Sequence, residues 1–325
     1  MAEISYREAL RDALIEEMDQ DPDVFVMGEE VGVFQGAYKV TEGLLDRFGE
    51  KRVIDTPIAE EGFVGLGAGA AMTGLRPVVE LMTINFGMVA MDQIANHAAK
   101  ISYMFGGRLK CPMVIRAPGG GGQQLTAQHS HSLDVWFAYI PGLKVVAPAV
   151  PADAKGLLKT AIRDDNPVMF LEHLALYNSK GVVPEGEHTV PFGEADVKRV
   201  GSDVTLIAHS RMVLFALQAA AQLSEEGISV EVIDLRSIRP FDVETLVHSV
   251  QKTNHCVIAE EEHRSFGVNA EVAATIYEEA FDHLDAPIAR VGGVEVPMPY
   301  SKPLEQAVIP SPEKIVDAVR TTLNA

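Results

Sequence analysis

The chain has 325 residues, with 46 acidic against 27 basic side chains and a formal net charge of −19. That length allows two ordinary domains with real cores. The charge argues against nucleic acid, whose binding needs clustered Lys and Arg, and suits either a solvated face or the docking of a basic protein. The longest apolar stretch, near 62–72, is too short and glycine-rich to span a bilayer. The opening MAEISYREALRDALIEE is neither a signal peptide nor an Arg-rich transit sequence. Cys111 and Cys256 lie in apolar runs without metal-ligand spacing. They read as buried thiols in a reducing compartment, the cytoplasm or an organelle matrix after processing.

Along the chain, Ser5 and Glu8 have capping-box spacing and precede Ala9, Leu10, Ala13, Leu14 and Met18 at helical period. VFVMG (24–28) reads as a buried strand. Val53 and Ile54 end another, and Thr56-Pro57 fixes an extended exit. A helix over 60–74, strand 77–82, a helix through 91–105 and strand 112–116 follow. A glycine run at 119–122, strand 143–148, helix 152–163 and strand 167–172 complete a first set. Residues 178–200 lose the rhythm and gather Gly, Pro and charge, which places a linker at 186–200 between domains 1–185 and 201–325. The second domain alternates again: strands 203–209, 229–236, 255–262 and 288–292, with helices 211–226, 242–252, 268–283 and 312–323. Short apolar runs alternating with helices mean parallel strands covered on both faces, so the fold class is α/β, two doubly wound domains.

Glu60 stands just past a strand and ahead of Gly62, Gly65, Gly67 and Gly69. Glycine costs a helix roughly 1 kcal/mol relative to alanine, so several together mean that another helix or a cofactor comes close. A carboxylate at the mouth of such a segment, near the ligand edge of the sheet, is a candidate for acid–base chemistry. It also suits a plain helix N-terminus, a task Glu61 would serve equally. Gly65-x-Gly67-x-x-Ala70 loosely fits a dinucleotide fingerprint, which would make the chain a stand-alone nicotinamide dehydrogenase, but the first glycine comes late after the strand. The Gly119–Gly122 run lacks the Lys-Ser/Thr of a P-loop and reads as a flexible approach to His129. His97, His173, His209, His255 and His263 show no metal spacing and receive no ligand role.

Glu60, four residues, Gly65, Leu66, two residues and Gly69 resemble the glutamate-plus-glycine signature of thiamine-diphosphate enzymes. GEEVGVFQGAYKVTEGL, DTPIAEEGFVGLGAGAAMTGLRPVVE, GLKVVAP, DAKGLLKTAIRDDNPV and VPMPY extend the likeness over essentially the whole chain. They resemble the beta subunit of the decarboxylating component of 2-oxo acid dehydrogenase complexes, among these most the pyruvate dehydrogenases. The resemblance implies a thiamine-diphosphate pyrimidine-binding N-terminal domain and a transketolase-like C-terminal domain. No GDG, the start of the motif that holds magnesium and the diphosphate, occurs in the chain. In the family that half lies on an alpha subunit, so the implied assembly is a heterotetramer of two alpha and two beta chains sharing thiamine diphosphate.

The resemblance also implies residue roles. Glu60 bonds the ring nitrogen of the aminopyrimidine. Phe86 packs on that ring, and Glu29 lines the same site, with Glu30 adjacent as an alternative. His129 serves proton transfer and passage of the acyl group to the lipoyl arm of a dihydrolipoyl acyltransferase core. His131, where many relatives have Gln, leaves open which imidazole acts. Met113, Ala161, Ile162, Asp164 and Asn166 match positions that bind potassium in relatives, although from the residues alone 161–167 is equally a helix-ending turn. The implied reaction is oxidative decarboxylation of pyruvate with reductive acetylation of lipoyl. A branched-chain 2-oxo acid or acetoin dehydrogenase subunit and a non-catalytic assembly subunit are the alternatives.

Overall fold

The computed structural model describes residues 2–325. The chain forms two compact units: 2–119 with 136–192, and 120–135 with 193–325. The change from one to the other at Phe192–Gly193 falls inside the stretch 186–200.

The first unit opens with strand β1 (Ala2–Ser5) and helix α1 (Tyr6–Gln20). Ser5 Oγ accepts from Glu8 N at 3.3 Å while Ser5 N donates to Glu8 Oε2 at 2.7 Å, so the capping box forms and sets Leu10, Leu14 and Met18 inward. Strand β2 (Val24–Gly28), the short helix α2 (Leu44–Phe48), β3 (Val53–Asp55), α3 (Glu60–Met72) and β4 (Arg76–Glu80) follow. The segment expected to be one helix over 91–105 is a single π turn, Gln93–Ala98, and a short helix α4 (Ile101–Met104). Then come β5 (Val114–Gly119), the short helix α5 (Asp134–Ala138), β6 (Lys144–Val146), α6 (Pro151–Arg163), β7 (Val168–His173) and β8 (Lys180–Val183). β8 pairs antiparallel with β1. Six strands run parallel in the order β6-β7-β5-β4-β2-β3.

The second unit carries β9 (Asp196–Arg199), β10 (Val204–Ala208), α7 (Met212–Glu225), β11 (Val230–Asp234), β12 (Ser237–Arg239) and α8 (Val243–Thr253). β13 (Cys256–His263), α9 (Val268–Ala280), β14 (Ala289–Gly293), α10 (Lys302–Val308) and α11 (Pro312–Leu323) complete it. Its sheet has the order β14-β13-β10-β11-β9, parallel except for the edge strand β9, which runs antiparallel to β11. β9 lies in the stretch that sequence alone reads as linker, because DVKR has no apolar run to announce a strand. Among the described residues no helix is long and apolar enough to cross a membrane. Both cysteines are free and buried, and burial pushes the Cys111 thiol up to about 11.

The glycines of α3 divide by face. A Cβ on Gly67 would stand 2.7 Å from Val79 Cγ2, so this position lets the helix lie close on β4. Gly62, Leu66 and Gly69 form an exposed stripe on another face. Gly65, Gly67 and Ala70 thus lie wholly inside a helix, away from any strand-to-helix turn, and the dinucleotide reading fails.

Beneath the carboxyl edge of the first sheet lies a buried charge cluster. Arg116 of β5, fully buried, holds Glu172 with two hydrogen bonds of 2.7 and 2.8 Å and also pairs with Glu80. Tyr177 Oη donates to Glu172 at 2.7 Å. Burial alone would lower the Arg116 pKa, but the two carboxylates outweigh it and keep the guanidinium charged. An Arg116→Met substitution leaves both carboxylates buried without their cation. It is expected to cost about 3–5 kcal/mol, read as a lower urea midpoint; an unchanged midpoint would show that the cluster adds nothing.

Candidate active site

In the first sheet the strand order reverses at β2: the chain goes to β3 on one side and to β4 on the other. Ligands of open α/β sheets bind beyond the carboxyl ends of the strands at such a reversal. Glu29 directly follows β2. Glu60 opens α3 after β3, and Phe86, half-buried, lies in the 3-10 turn Ile84–Met88 after β4. Burial separates the paired candidates. Glu29 and Glu60 are 4% and 5% exposed, whereas Glu30 and Glu61 are exposed to solvent. The loop after Glu29 is fixed by Asp55, whose carboxylate oxygens accept from Gly32 N at 2.6 Å and Val33 N at 2.9 Å.

Glu29 and Glu60 meet without a cation between them. Burial, then the charge of Glu60, then a hydrogen bond with Glu60 raise the Glu29 pKa to about 7. Glu29 therefore keeps a proton near neutrality and hydrogen-bonds Glu60. Glu29 Oε1 and Thr56 Oγ1 are buried polar atoms with no hydrogen-bond partner in the chain. Buried groups of this kind ordinarily have one, so these two atoms mark a place for a polar ligand.

His129 lies in the second unit, on segment 120–135. His131 is close to His129 and His263. Burial, then the charges of His263 and His129, lower its pKa, so it favours the neutral imidazole. His263, at the end of β13, thus joins a three-histidine cluster that sequence reasoning missed; its place at a carboxyl-terminal strand end was the available signal. His209 is also buried, with Nε2 at 3.0 Å from Asp134 Oδ2. Burial alone would lower its pKa, but the Asp134 hydrogen bond and the charges of Asp134, Glu262 and Asp234 raise it. Among the described residues, Asp134, His209 and Glu262 form the one group spaced as metal ligands. His209 already faces Asp134, however, and the two Glu262 oxygens accept from Val135 N and Val268 N. The group reads as an ion pair that holds the segment.

The turn after α6 has its oxygens engaged. Ile162 O and Asp164 O accept from Arg76 Nη1 at 3.0 and 3.1 Å, Ala161 O from Asp164 N at 3.3 Å, and Met113 O from Val168 N at 2.9 Å. Asp164 Oδ1 accepts from Asn166 N and Nδ2, and Asp164 Oδ2 pairs with Lys144. Arg76 and Lys144 therefore supply positive charge to this turn from within the chain.

Residues 2–180 match the family described as transketolase, pyrimidine binding domain, and 193–315 match transketolase, C-terminal domain. The chain is 54% identical to the pyruvate dehydrogenase E1 component subunit beta of Rickettsia felis, over 98% of each chain. It is 51% identical to the mitochondrial subunit of Saccharomyces cerevisiae, over 99% of this chain and 89% of that one. A split-gene transketolase, solved as an inactive beta4 tetramer, superposes with a TM-score of 0.80 at 26% identity, covering 99% of this chain and 98% of the other.

The proton on Glu29 has a consequence for stability. Between the ordinary glutamate pKa and about 7, the folded chain holds a proton at Glu29 that the unfolded chain has lost. This contribution to stability is full at acid pH and is lost as pH rises toward 7. Glu29→Gln removes it. Melting temperatures of the two proteins at pH 5 and pH 8 should diverge, with the variant gaining on the parent at pH 8; a pH-independent difference would contradict the pair.

Proposed function

The chain belongs to the family of pyruvate dehydrogenase E1 component beta subunits, and from that membership we propose that it supplies the proton-handling half of a thiamine-diphosphate site completed by an alpha subunit. The observation that carries the reading is the buried Glu29–Glu60 pair at the sheet's reversal point, with Glu29 Oε1 and the nearby Thr56 Oγ1 lacking hydrogen-bond partners. These residues fit an aminopyrimidine: a carboxyl to bond a ring nitrogen, further polar atoms for an amino group, and the Phe86 ring to pack on a flat heterocycle. They do not fit a diphosphate, which needs a cation or a nest of N–H donors. Magnesium and the diphosphate are accordingly assigned to the partner.

When bound, thiamine diphosphate supplies the electron sink for loss of carbon dioxide from a 2-oxo acid. The work of this chain is to hold and move protons. Glu60 exchanges a proton with the ring nitrogen, and Glu29, which keeps a proton near neutral pH, holds Glu60 in the state suited to that exchange. Phe86 fixes the ring at low entropic cost. His129 serves the later transfer of the acyl group to a lipoyl carrier, with His131 and His263 adjusting it. Pyruvate is the proposed substrate, since the relatives named above are pyruvate dehydrogenase subunits.

The proposed assembly is two alpha with two beta chains. The exposed Gly62–Leu66–Gly69 stripe on α3 is a face on which another helix can approach closely. The structural neighbour is an inactive tetramer of beta chains, as expected if such a chain alone lacks half of the site. The net charge of −19 suits docking to a basic segment of a dihydrolipoyl acyltransferase core. The compartment is the cytoplasm or a mitochondrial-type matrix. Potassium at Met113, Ala161, Ile162, Asp164 and Asn166 would have to compete with Arg76 and Lys144, which already answer the oxygens of Ile162 and Asp164.

Glu60→Gln, assembled with the alpha subunit, should fold and assemble normally but lose decarboxylation of pyruvate by on the order of 10²–10⁴-fold. Normal turnover by that assembly would falsify the role given to Glu60.

A further inference from the structure

The second sheet also reverses its strand order, between β10 and β13. By the rule that places ligands beyond the carboxyl ends at such a point, a crevice should open there. Instead the chain's own segment 120–135 lies across it. Glu261 of β13 accepts from Gly121 N at 2.6 Å, Glu262 accepts from Val135 N at 3.2 Å, and His209, just past β10, holds Asp134. From α10, a single oxygen of Glu305 accepts from both Gly122 N and Gln124 N, each at 2.9 Å, and this residue is 1% exposed. Arg211 Nη1 donates to Gly121 O at 3.3 Å and lies 3.5 Å from Glu261.

The contacts need the glycines. A Cβ on Gly121 would stand 2.8 Å from Met298 Cε and 2.9 Å from Ile309 Cδ1. Gly122 has φ +94°, a conformation that L side chains rarely adopt. Gln124 and Thr126 also have positive φ, 57° and 69°, and for a β-branched threonine this is strain. Such strain persists only where surrounding contacts over-determine the backbone. The run expected to be a flexible approach is therefore fastened at both ends, and His129 lies between the fastenings.

We propose that Glu305, seconded by Glu261, is a positioning residue that holds segment 120–135 so that His129 is presented in one place for acyl transfer. The proposal rests on the reading of His129 given above. Neither glutamate need touch a reacting atom; each acts through the backbone N–H groups of the loop. Alanine at 305 removes the acceptor of two inward N–H groups, whereas glutamine keeps an acceptor oxygen in nearly the same place.

The test uses Glu305→Ala and Glu305→Gln in the complete heterotetramer, with three readouts: hydrogen exchange of peptides from 120–132, decarboxylation coupled to an artificial electron acceptor, and reductive acylation of a free lipoyl domain. Alanine should speed exchange in 120–132 and slow acylation by on the order of 10–100-fold, with decarboxylation held within about threefold. Glutamine should restore acylation to within about threefold of the parent. Unchanged exchange, or equal loss of both activities, overturns the proposal. A His129→Ala variant run alongside separates the two readings. Normal acylation in that variant refutes the role of His129, while impaired acylation there with normal acylation in Glu305→Ala refutes the positioning role alone.

Discussion

Two carboxyls held together without a cation are the constraint around which the first unit is organised. Four glutamates lie at the carboxyl edge of its sheet, and the chain treats them in two ways. Glu80 and Glu172 are given to Arg116, which fixes both as acceptors. Glu29 and Glu60 are given only to each other. In the second arrangement burial and the neighbouring carboxylate leave Glu29 holding a proton near neutral pH. A proton-handling site needs the second. Close packing keeps it dry: a Cβ on Gly28, the residue before Glu29, would meet Glu80 O at 2.5 Å, and Gly67 brings α3 down onto β4.

The same topological device is used twice. Both sheets reverse strand order and gather acidic groups beyond the carboxyl ends at the reversal. In the first unit Glu29 Oε1 and Thr56 Oγ1 lie there without hydrogen-bond partners. In the second, Glu261 and Glu262 accept from backbone N–H groups of segment 120–135, and Glu260 Oε2 accepts from Asn269 N of α9 at 2.9 Å, while Glu260 Oε1, Ser130 Oγ and Asn269 Nδ2 lie buried without hydrogen-bond partners. Burial raises the pKa of both Glu260 and Glu262, and His209 answers Asp134 beside them. The second sheet thus fastens a loop of the chain across its own reversal.

What could be read in the sequence followed from local signals. The apolar runs of β2, β4, β10, β11 and β13 announced buried parallel strands, and Ser5 with Glu8 announced the start of α1. The motif around Glu60 pointed to one carboxylate of two, and burial separates Glu60 from Glu61. The elements that escaped are those whose reason is distant in the chain. β9 carries no apolar run because it is an edge strand. The π turn at Gln93–Ala98 reflects packing against α3, where a Cβ on Gly65 would meet Gln93 at 3.0 Å. The partnership of 120–135 with the second unit depends on Glu261, Glu262 and Glu305, which accept from backbone N–H groups 127 to 183 positions earlier in the chain, a relation no spacing rule encodes.

The stripe on α3 shows how one helix meets two demands. Its buried face carries Phe63, Val64, Gly67 and Ala68 against the sheet, and its first residue places Glu60 at the ligand edge. Its exposed face carries Gly62, Leu66 and Gly69, residues that neither repel a neighbour by charge nor block it by bulk near the backbone. Glycine at these outward positions lowers helix propensity by roughly 1 kcal/mol each and returns nothing to an isolated subunit. A chain that stood alone would gain stability from alanine there. The composition makes physical sense when a second helix covers that face.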